Sequence, residues 1–299
     1  MTTENDPPVS NASDVAPSNS ARRTRPLRLL AICAGAILAT YLIVCAAIFF
    51  WQERLIYFPT RDYWSTPAGL ALTYEDITLT TDDGRSLAAW YLPHSTPKGT
   101  IVFFHGNGGN MAESLQTLKC FHRLGYSTLA FDYRGYGRSD GTPDEDGTYR
   151  DAEAAWRYLV QTRGVAPEDI VLFGRSLGGA VAIELATRHR PRALVVESTF
   201  TSLVAIGKSE YPFLPVTLLC TNRYESIKKV PGILCPKLFI HSTGDEIVPF
   251  EQGQRLFAAA AEPKRFLETP GGHNSGGFEY NPKYTQRLGQ WLADVSTPQ

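Results

Sequence analysis

The sequence predicts an α/β protein built on a mainly parallel sheet with helices on both faces, and two observations carry that expectation. After Pro97 the chain repeats one plan: a short apolar run, a turn rich in Gly or Asp, then a stretch with helical spacing. Strands separated by helices of this length need right-handed crossovers, which cover both faces of a parallel sheet. Before that series, from Tyr74, the pattern is alternation. Ile77 and Leu79, the turn Asp82-Asp83-Gly84, then Leu87, Ala89 and Tyr91 read as an antiparallel hairpin that opens the domain.

Taken in order, residues 1–28 are expected to be a disordered cytoplasmic tail. Their first twenty are mostly small, polar or Pro residues, too poor in apolar surface to offset the entropy of ordering. The uncharged run 29–51, Leu29 to Trp51, follows Arg22, Arg23, Arg25 and Arg28. At 1.5 Å per residue it spans about 34 Å, enough for a hydrocarbon core of roughly 30 Å, so a transmembrane helix is expected. A cleaved signal peptide fits less well, because its core is shorter and it ends in small residues, whereas this run ends Ile48-Phe49-Phe50-Trp51. Lipidation at Cys33 would need a small residue where Ile32 stands, and a buried core helix would carry a polar stripe. Four arginines precede the span, against Arg54 and Arg61 balanced by Glu53 and Asp62 after it. The positive-inside bias then keeps the N-terminus cytoplasmic and sends the rest of the chain to the extracytoplasmic side.

A linker is expected over 52–73 and the globular domain over 74–296. Strands are expected at Thr100–Phe104, Ser127–Phe131, Ile170–Phe173, Ala193–Val196, Lys237–Ile240 and Arg265–Leu267. Leu115, Leu118 and Phe121 mark one helix face, and Ala152, Ala155, Trp156 and Leu159 another. Residues 198–232 break the rhythm with Pro212, Pro215 and Pro231, and read as a short cap over the carboxyl edge of the sheet, where open α/β sheets bind ligands. With 299 residues and 43% hydrophobic content the chain can bury a large core, and its net charge of −1 gives no basic excess for nucleic acid. Its five cysteines form no C-x-x-C pair, so structural zinc is not expected, and the serine chemistry read below requires no metal or cofactor. Cys220 and Cys235 fall on a side of the membrane that is often oxidising, and their pairing stays open.

The chemistry is concentrated in Gly174-Arg175-Ser176-Leu177-Gly178, a G-x-S-x-G between the strand Ile170–Phe173 and a helix beginning Ala180-Val181-Ala182. A serine at such a turn is forced into strain so that its hydroxyl projects, which makes Ser176 the nucleophile candidate. Serine is a poor nucleophile near neutral pH and needs a base held by a carboxylate. In the chain order of this arrangement, acid then histidine follow the serine. Asp245 and His273 both stand just past strand ends, with Glu246 as the fallback acid. His241 comes too early for the base and is read as structural, and His94, His122 and His189 as surface or packing residues. The backbone N–H groups of Asn107, in His105-Gly106-Asn107-Gly108-Gly109, and of Leu177 are the oxyanion-hole candidates. His105 braces that loop. A phosphate cradle is the rival for this loop, but G-x-G-x-x-G and a Walker lysine are both absent.

Ser176, Asp245 and His273 in this order, with His105-Gly106-Asn107 and Phe131-Asp132-Tyr133-Arg134-Gly135-Tyr136-Gly137-Arg138-Ser139, resemble the α/β-hydrolase superfamily over about residues 70 to 295. More narrowly the chain resembles its small membrane-anchored serine hydrolases, related to protein depalmitoylases. The resemblance implies the α/β-hydrolase fold and structural roles for Asp132 and Arg134. The sequence departs from the family at His241-Ser242, where His-Gly is usual, and in its brief cap. The expected activity is hydrolysis of carboxylic esters or thioesters through an acyl-enzyme, with a lipid-like acyl substrate favoured because Phe200, Tyr211 and Phe213 could accept an acyl chain. A peptidase using Arg223, Lys228 or Lys229 against a peptide terminus, and an idle membrane-tethered binding domain, are the alternatives.

Overall fold

The computed structural model describes Thr2 and residues 19–296, with the side chains of the first helix described from Leu27 onward. Most of the tail expected over 1–28 therefore lies outside the described residues. The first helix, α1 (Asn19–Ile56), begins earlier than the apolar run and ends later. The run's edges were set by charge, but arginine, glutamine and glutamate are good helix formers and let the helix continue past both. Leu27–Ile56 is long and apolar enough to cross a membrane, with a mean hydropathy of 2.5. The chain divides into one compact unit ending at Phe50 and a second beginning at Trp51.

The stretch 52–73, expected as a linker, packs against the domain it leads into. Tyr57 is buried, and its hydroxyl meets that of Tyr224 at 2.8 Å and donates to Oδ1 of Asn222 at 3.1 Å. Phe58–Pro59 pairs in parallel with Gly108–Gly109, and Arg61 donates to the carbonyl of Ser139 at 2.7 Å. These residues carry no periodicity because they are fixed by side-chain contacts and a two-residue backbone pairing with distant chain, which spacing does not record.

Eight strands form the main sheet: β1 (Glu75–Thr80), β2 (Ser86–Leu92), β3 (Thr100–Phe104), β4 (Ser127–Phe131), β5 (Ile170–Arg175), β6 (Ala193–Glu197), β7 (Lys237–Ser242) and β8 (Lys264–Thr269). Their spatial order is β1-β2-β4-β3-β5-β6-β7-β8. The hairpin β1–β2 and the β2–β4 pair are antiparallel, and every other pairing is parallel. The helices are α2 (Leu115–Leu124), α3 (Glu145–Arg157), α4 (Leu177–Arg188), α5 (Leu203–Glu210), α6 (Val216–Leu219), α7 (Ser226–Lys229), α8 (Phe250–Ala259) and α9 (Pro282–Asp294).

Strand side chains alternate between two cores, as a period of two requires. Val102, Phe104 and Leu172 join the α3 and α4 residues Ala155, Trp156, Val181 and Ile183 on one face. Ile101, Phe103, Val171 and Phe173 join Leu118 and Phe121 of α2 and Leu292 of α9 on the other. Between β6 and β7 lies the cap, where α5, α6 and α7 replace the aperiodic stretch read from sequence. They are short, and Pro212 and Pro215 keep them from merging into a helix long enough to show a period.

Phe173 is fully buried and its ring lies 6.0, 4.9 and 5.4 Å from those of Phe103, Phe121 and Phe278. Phe173→Ala should cost about 3–5 kcal/mol of stability, read by chemical denaturation of the purified chain.

Candidate active site

Ser176 ends β5 and caps α4 with φ at 52°, a left-handed conformation that a serine adopts only at a cost of about 1–3 kcal/mol. Its neighbours hold it there. The Ser176 N–H donates to the carbonyl of Glu197 at 2.8 Å, and its own carbonyl accepts from Gly179 N–H at 3.0 Å and from the Thr199 hydroxyl at 2.7 Å. The flanking glycines are required by contact: a Cβ on Gly174 would lie 2.2 Å from the Gly178 carbonyl oxygen, and one on Gly178 would lie 2.1 Å from that of Phe104. Strand and helix thus pack backbone to backbone, and the hydroxyl stands at the carboxyl edge of the sheet.

Three loops from that edge converge on Ser176. His273, past β8, places Nε2 at 3.2 Å from the serine Oγ. Its Nδ1 lies 2.9 and 2.8 Å from Oδ1 and Oδ2 of Asp245, past β7, so the network assigns the proton to Nδ1 and leaves Nε2 as an acceptor. Asp245 also accepts the N–H groups of Ile247 at 3.0 Å and Val248 at 2.7 Å. Burial would raise its pKa, but hydrogen bonds from His241, His273 and Val248 outweigh it, and the carboxyl is held well below the usual carboxylate range. Glu246, the fallback acid, takes a different post: it accepts the His273 backbone N–H at 3.0 Å and leaves the ring to Asp245.

The third loop brings Gly106 so close that a Cβ there would lie 3.7 Å from that of Ser176. The Asn107 side chain donates to the carbonyl of Ile56 at 2.7 Å, and its carbonyl accepts Phe58 N–H at 3.0 Å and the Tyr136 hydroxyl at 2.9 Å. Among the described residues, the N–H groups of Asn107 and Leu177 have no acceptor. Behind this loop His105 is buried, with Nδ1 at 2.7 Å from the carbonyl of Gly106 and Nε2 at 3.5 Å from Oδ1 of Asp132. Burial pushes its pKa down to about 4, so it stays neutral and braces the loop. This arrangement can pass a proton from the hydroxyl to an imidazole and offer two N–H donors beside it.

A family model described as serine aminopeptidase, S33, matches residues 95–218. Uncharacterized protein Rv2307c of Mycobacterium tuberculosis is 40% identical over 260 residues, which cover 85% of this chain and 90% of that protein. The alpha/beta hydrolase domain-containing protein WAV2 of Arabidopsis thaliana is 35% identical over 77% of this chain and 85% of its own length. The chain belongs to the α/β-hydrolase superfamily. The fold agrees with a solved esterase of Pyrococcus furiosus, Pf2001, at a TM-score of 0.68 and 21% identity, covering 80% of this chain and all of that one. The family match contains Asn107 and Ser176 but stops before Asp245 and His273, so only the hydrolase geometry places those two at the site.

The other conspicuous residues of the hydrolase lie in networks of their own. Arg134 binds Asp151 and Asp83, and Asp132 accepts Met111 N–H at 2.7 Å and the Tyr63 hydroxyl at 2.5 Å. His189 meets Glu153 at 2.9 Å, and His94 packs on His122. Cys220 and Cys235 are both free thiols, and Cys220 donates to the carbonyl of Asn222 at 2.9 Å. No group of acidic, His or Cys side chains suited to a metal occurs among the described residues.

Two contributors, Ser242 and Arg175, escaped the sequence reading, and the contacts of a third, His241, go beyond the structural role expected of it. His241 Nε2, at 2.9 Å from the Val248 carbonyl and 3.4 Å from Asp245 Oδ2, braces the acid from behind. Ser242, the departure from His-Gly, donates its hydroxyl to the Gly271 carbonyl and ties the acid loop to the histidine loop. Arg175 donates to Glu197 at 2.7 Å and to Glu279 at 2.8 Å, and so joins the serine turn to the segment after His273. A charge inside G-x-S-x-G was the one available signal, and it names no partner.

Arg175→Met would strand two buried carboxylates and should cost about 3–5 kcal/mol in denaturant unfolding. Asp132 gives a pH signature. Burial, partly opposed by the hydrogen bonds from Tyr63 and Met111, pushes its pKa up to about 6. The folded carboxyl therefore holds its proton more tightly than the unfolded one, favouring the native state below about pH 4, and that margin is lost as pH rises through 6. The stability of native protein relative to Asp132→Asn should fall by about 2–3 kcal/mol between acid and neutral pH, read from denaturation series at each pH.

Proposed function

We propose that this hydrolase cleaves carboxylic esters or thioesters through an acyl-enzyme on Ser176. The observation that carries the reading is the continuous file from Asp245 through His273 to Ser176 Oγ, beside two N–H groups without acceptors. His273 Nε2 takes the serine proton as Oγ attacks the acyl carbon. The oxyanion forms against the N–H groups of Asn107 and Leu177, each such donor being worth about 10²–10³ in rate. His273 then gives its proton to the leaving alcohol or thiol and takes one from the water that frees the acyl group. Asp245 keeps the Nδ1 tautomer and stabilises the imidazolium between those transfers.

The family description favours a peptidase as a second reading. A peptidase would hold the amino terminus of its substrate with a carboxylate, or the carboxyl terminus with an unpaired cation. The three cations nearest that role are committed: Arg223 and Lys228 pair with Glu225, and Lys229 pairs with Glu184. The ester reading needs no such group. We take α1 as a membrane anchor, with the arginines before it holding the N-terminus in the cytoplasm and the hydrolase on the opposite side. An acyl substrate of a lipid or a lipidated protein suits a catalytic domain so tethered.

Ser176→Ala should lower kcat on p-nitrophenyl esters by about a million-fold and abolish fluorophosphonate labelling, and Asp245→Asn should lower kcat by about 10⁴-fold. A Ser176→Ala protein with native turnover would contradict the assignment, and labelling without ester turnover would leave a binding domain with a reactive serine. Protease accessibility of the domain in sealed vesicles reads the orientation.

A further inference from the structure

The cap carries an apolar surface that the proposed chemistry does not use. Tyr211, Phe213 and Leu218 are 53, 70 and 80% exposed within eight residues of chain, and the Tyr211 and Phe213 rings meet edge to face at 6.4 Å. An open groove of about 470 Å³ runs beside them, lined by Lys208, Pro212, Leu214 and Val216 among others. Elsewhere among the described residues beyond Trp64, the large exposed apolar side chains are Leu234, Ile247 and Tyr280, single residues on separate loops. Isolated residues of that kind are ordinary on a soluble surface, whereas a contiguous patch marks a contact.

Gln52 identifies the contact. It directly follows Trp51, the end of the apolar run, yet it is buried in the domain. Its side chain donates to the Leu219 carbonyl at 3.2 Å and accepts Thr221 N–H at 2.8 Å, so it is clamped to the end of α6, one residue from Leu218. Trp51 and Gln52 both belong to the unit that carries the cap, so under the anchor reading that unit begins where the apolar run ends. Tyrosine is a residue of the bilayer interface, and lysine beside an apolar groove can reach lipid phosphate while its stem stays against the groove.

We propose that Tyr211, Phe213, Leu218 and the groove beside them seat in the bilayer interface, so that the hydrolase meets acyl substrates at the membrane surface. The proposal rests on α1 being a membrane anchor. The full chain in phosphatidylcholine vesicles, with lipid brominated near the headgroup end of its acyl chains, tests it by tryptophan quenching. Phe213→Trp and Leu218→Trp should each add emission that brominated lipid quenches by roughly half, whereas Glu268→Trp, on an exposed edge-strand position, should add emission that it leaves untouched. Introduced indoles at 213 and 218 that behave like the one at 268 overturn the proposal. Emission shifted to the blue in detergent, insensitive to bromine and dependent on protein concentration, overturns it in favour of a second copy of the chain on this face. Trp51→Phe separates the premise from the inference: if it removes no quenching, α1 is not in lipid and the proposal falls with it, and if it does, silence at 213 and 218 counts against the cap alone.

Discussion

The site depends on a backbone constraint at one residue. Ser176 sits at φ 52° because β5 and α4 approach so closely that Gly174 and Gly178 have no room for a side chain. Strain of about 1–3 kcal/mol is small beside the burial of the surrounding core, and it turns the hydroxyl out of the strand instead of into it. The loops after β3, β7 and β8 are then measured against a fixed point. Gly106, Asp245 and His273 reach Ser176 because parallel strands in register end at one edge.

Keeping those loops in place takes buried charge, and each charge is answered. Asp245 is held ionised by two histidines and two backbone N–H groups, so the His273 ring always has an anion behind it. Arg175 lies between Glu197 and Glu279, and the pair of bridges spans the serine turn and the chain beyond His273. Such clusters contribute little net stability against a well-packed apolar alternative, but breaking one side is costly. Their value here is positional, since they help to hold Nε2 of His273 at 3.2 Å from the hydroxyl of a serine 97 residues away.

The parallel series was legible because strands and helices each imprint a period, and every expected strand from Thr100 onward is present, two with the expected bounds and four from one to three residues longer. The serine turn was legible because its glycines are required sterically. The packing of residues 52–73 was not legible for the opposite reason: Tyr57, Arg61 and Tyr63 are held by hydroxyl and guanidinium contacts to distant chain, and a contact of that kind leaves no spacing behind. The role of Ser242 was hidden in the same way, as an apparent flaw in a family pattern, and for His241, already read as structural, the contact with Asp245 was hidden. Glu279 had no signal at all, because its partner Arg175 lies 104 residues earlier.

The most direct measurement is peptide mass spectrometry of the full-length protein quenched during turnover of a slowly deacylating ester. The acyl mass should sit on the peptide containing Ser176, accumulate in a burst, and vanish in His273→Ala. Ester hydrolysis with the acyl group on another residue, or with the same yield of adduct when His273 is removed, would contradict the account.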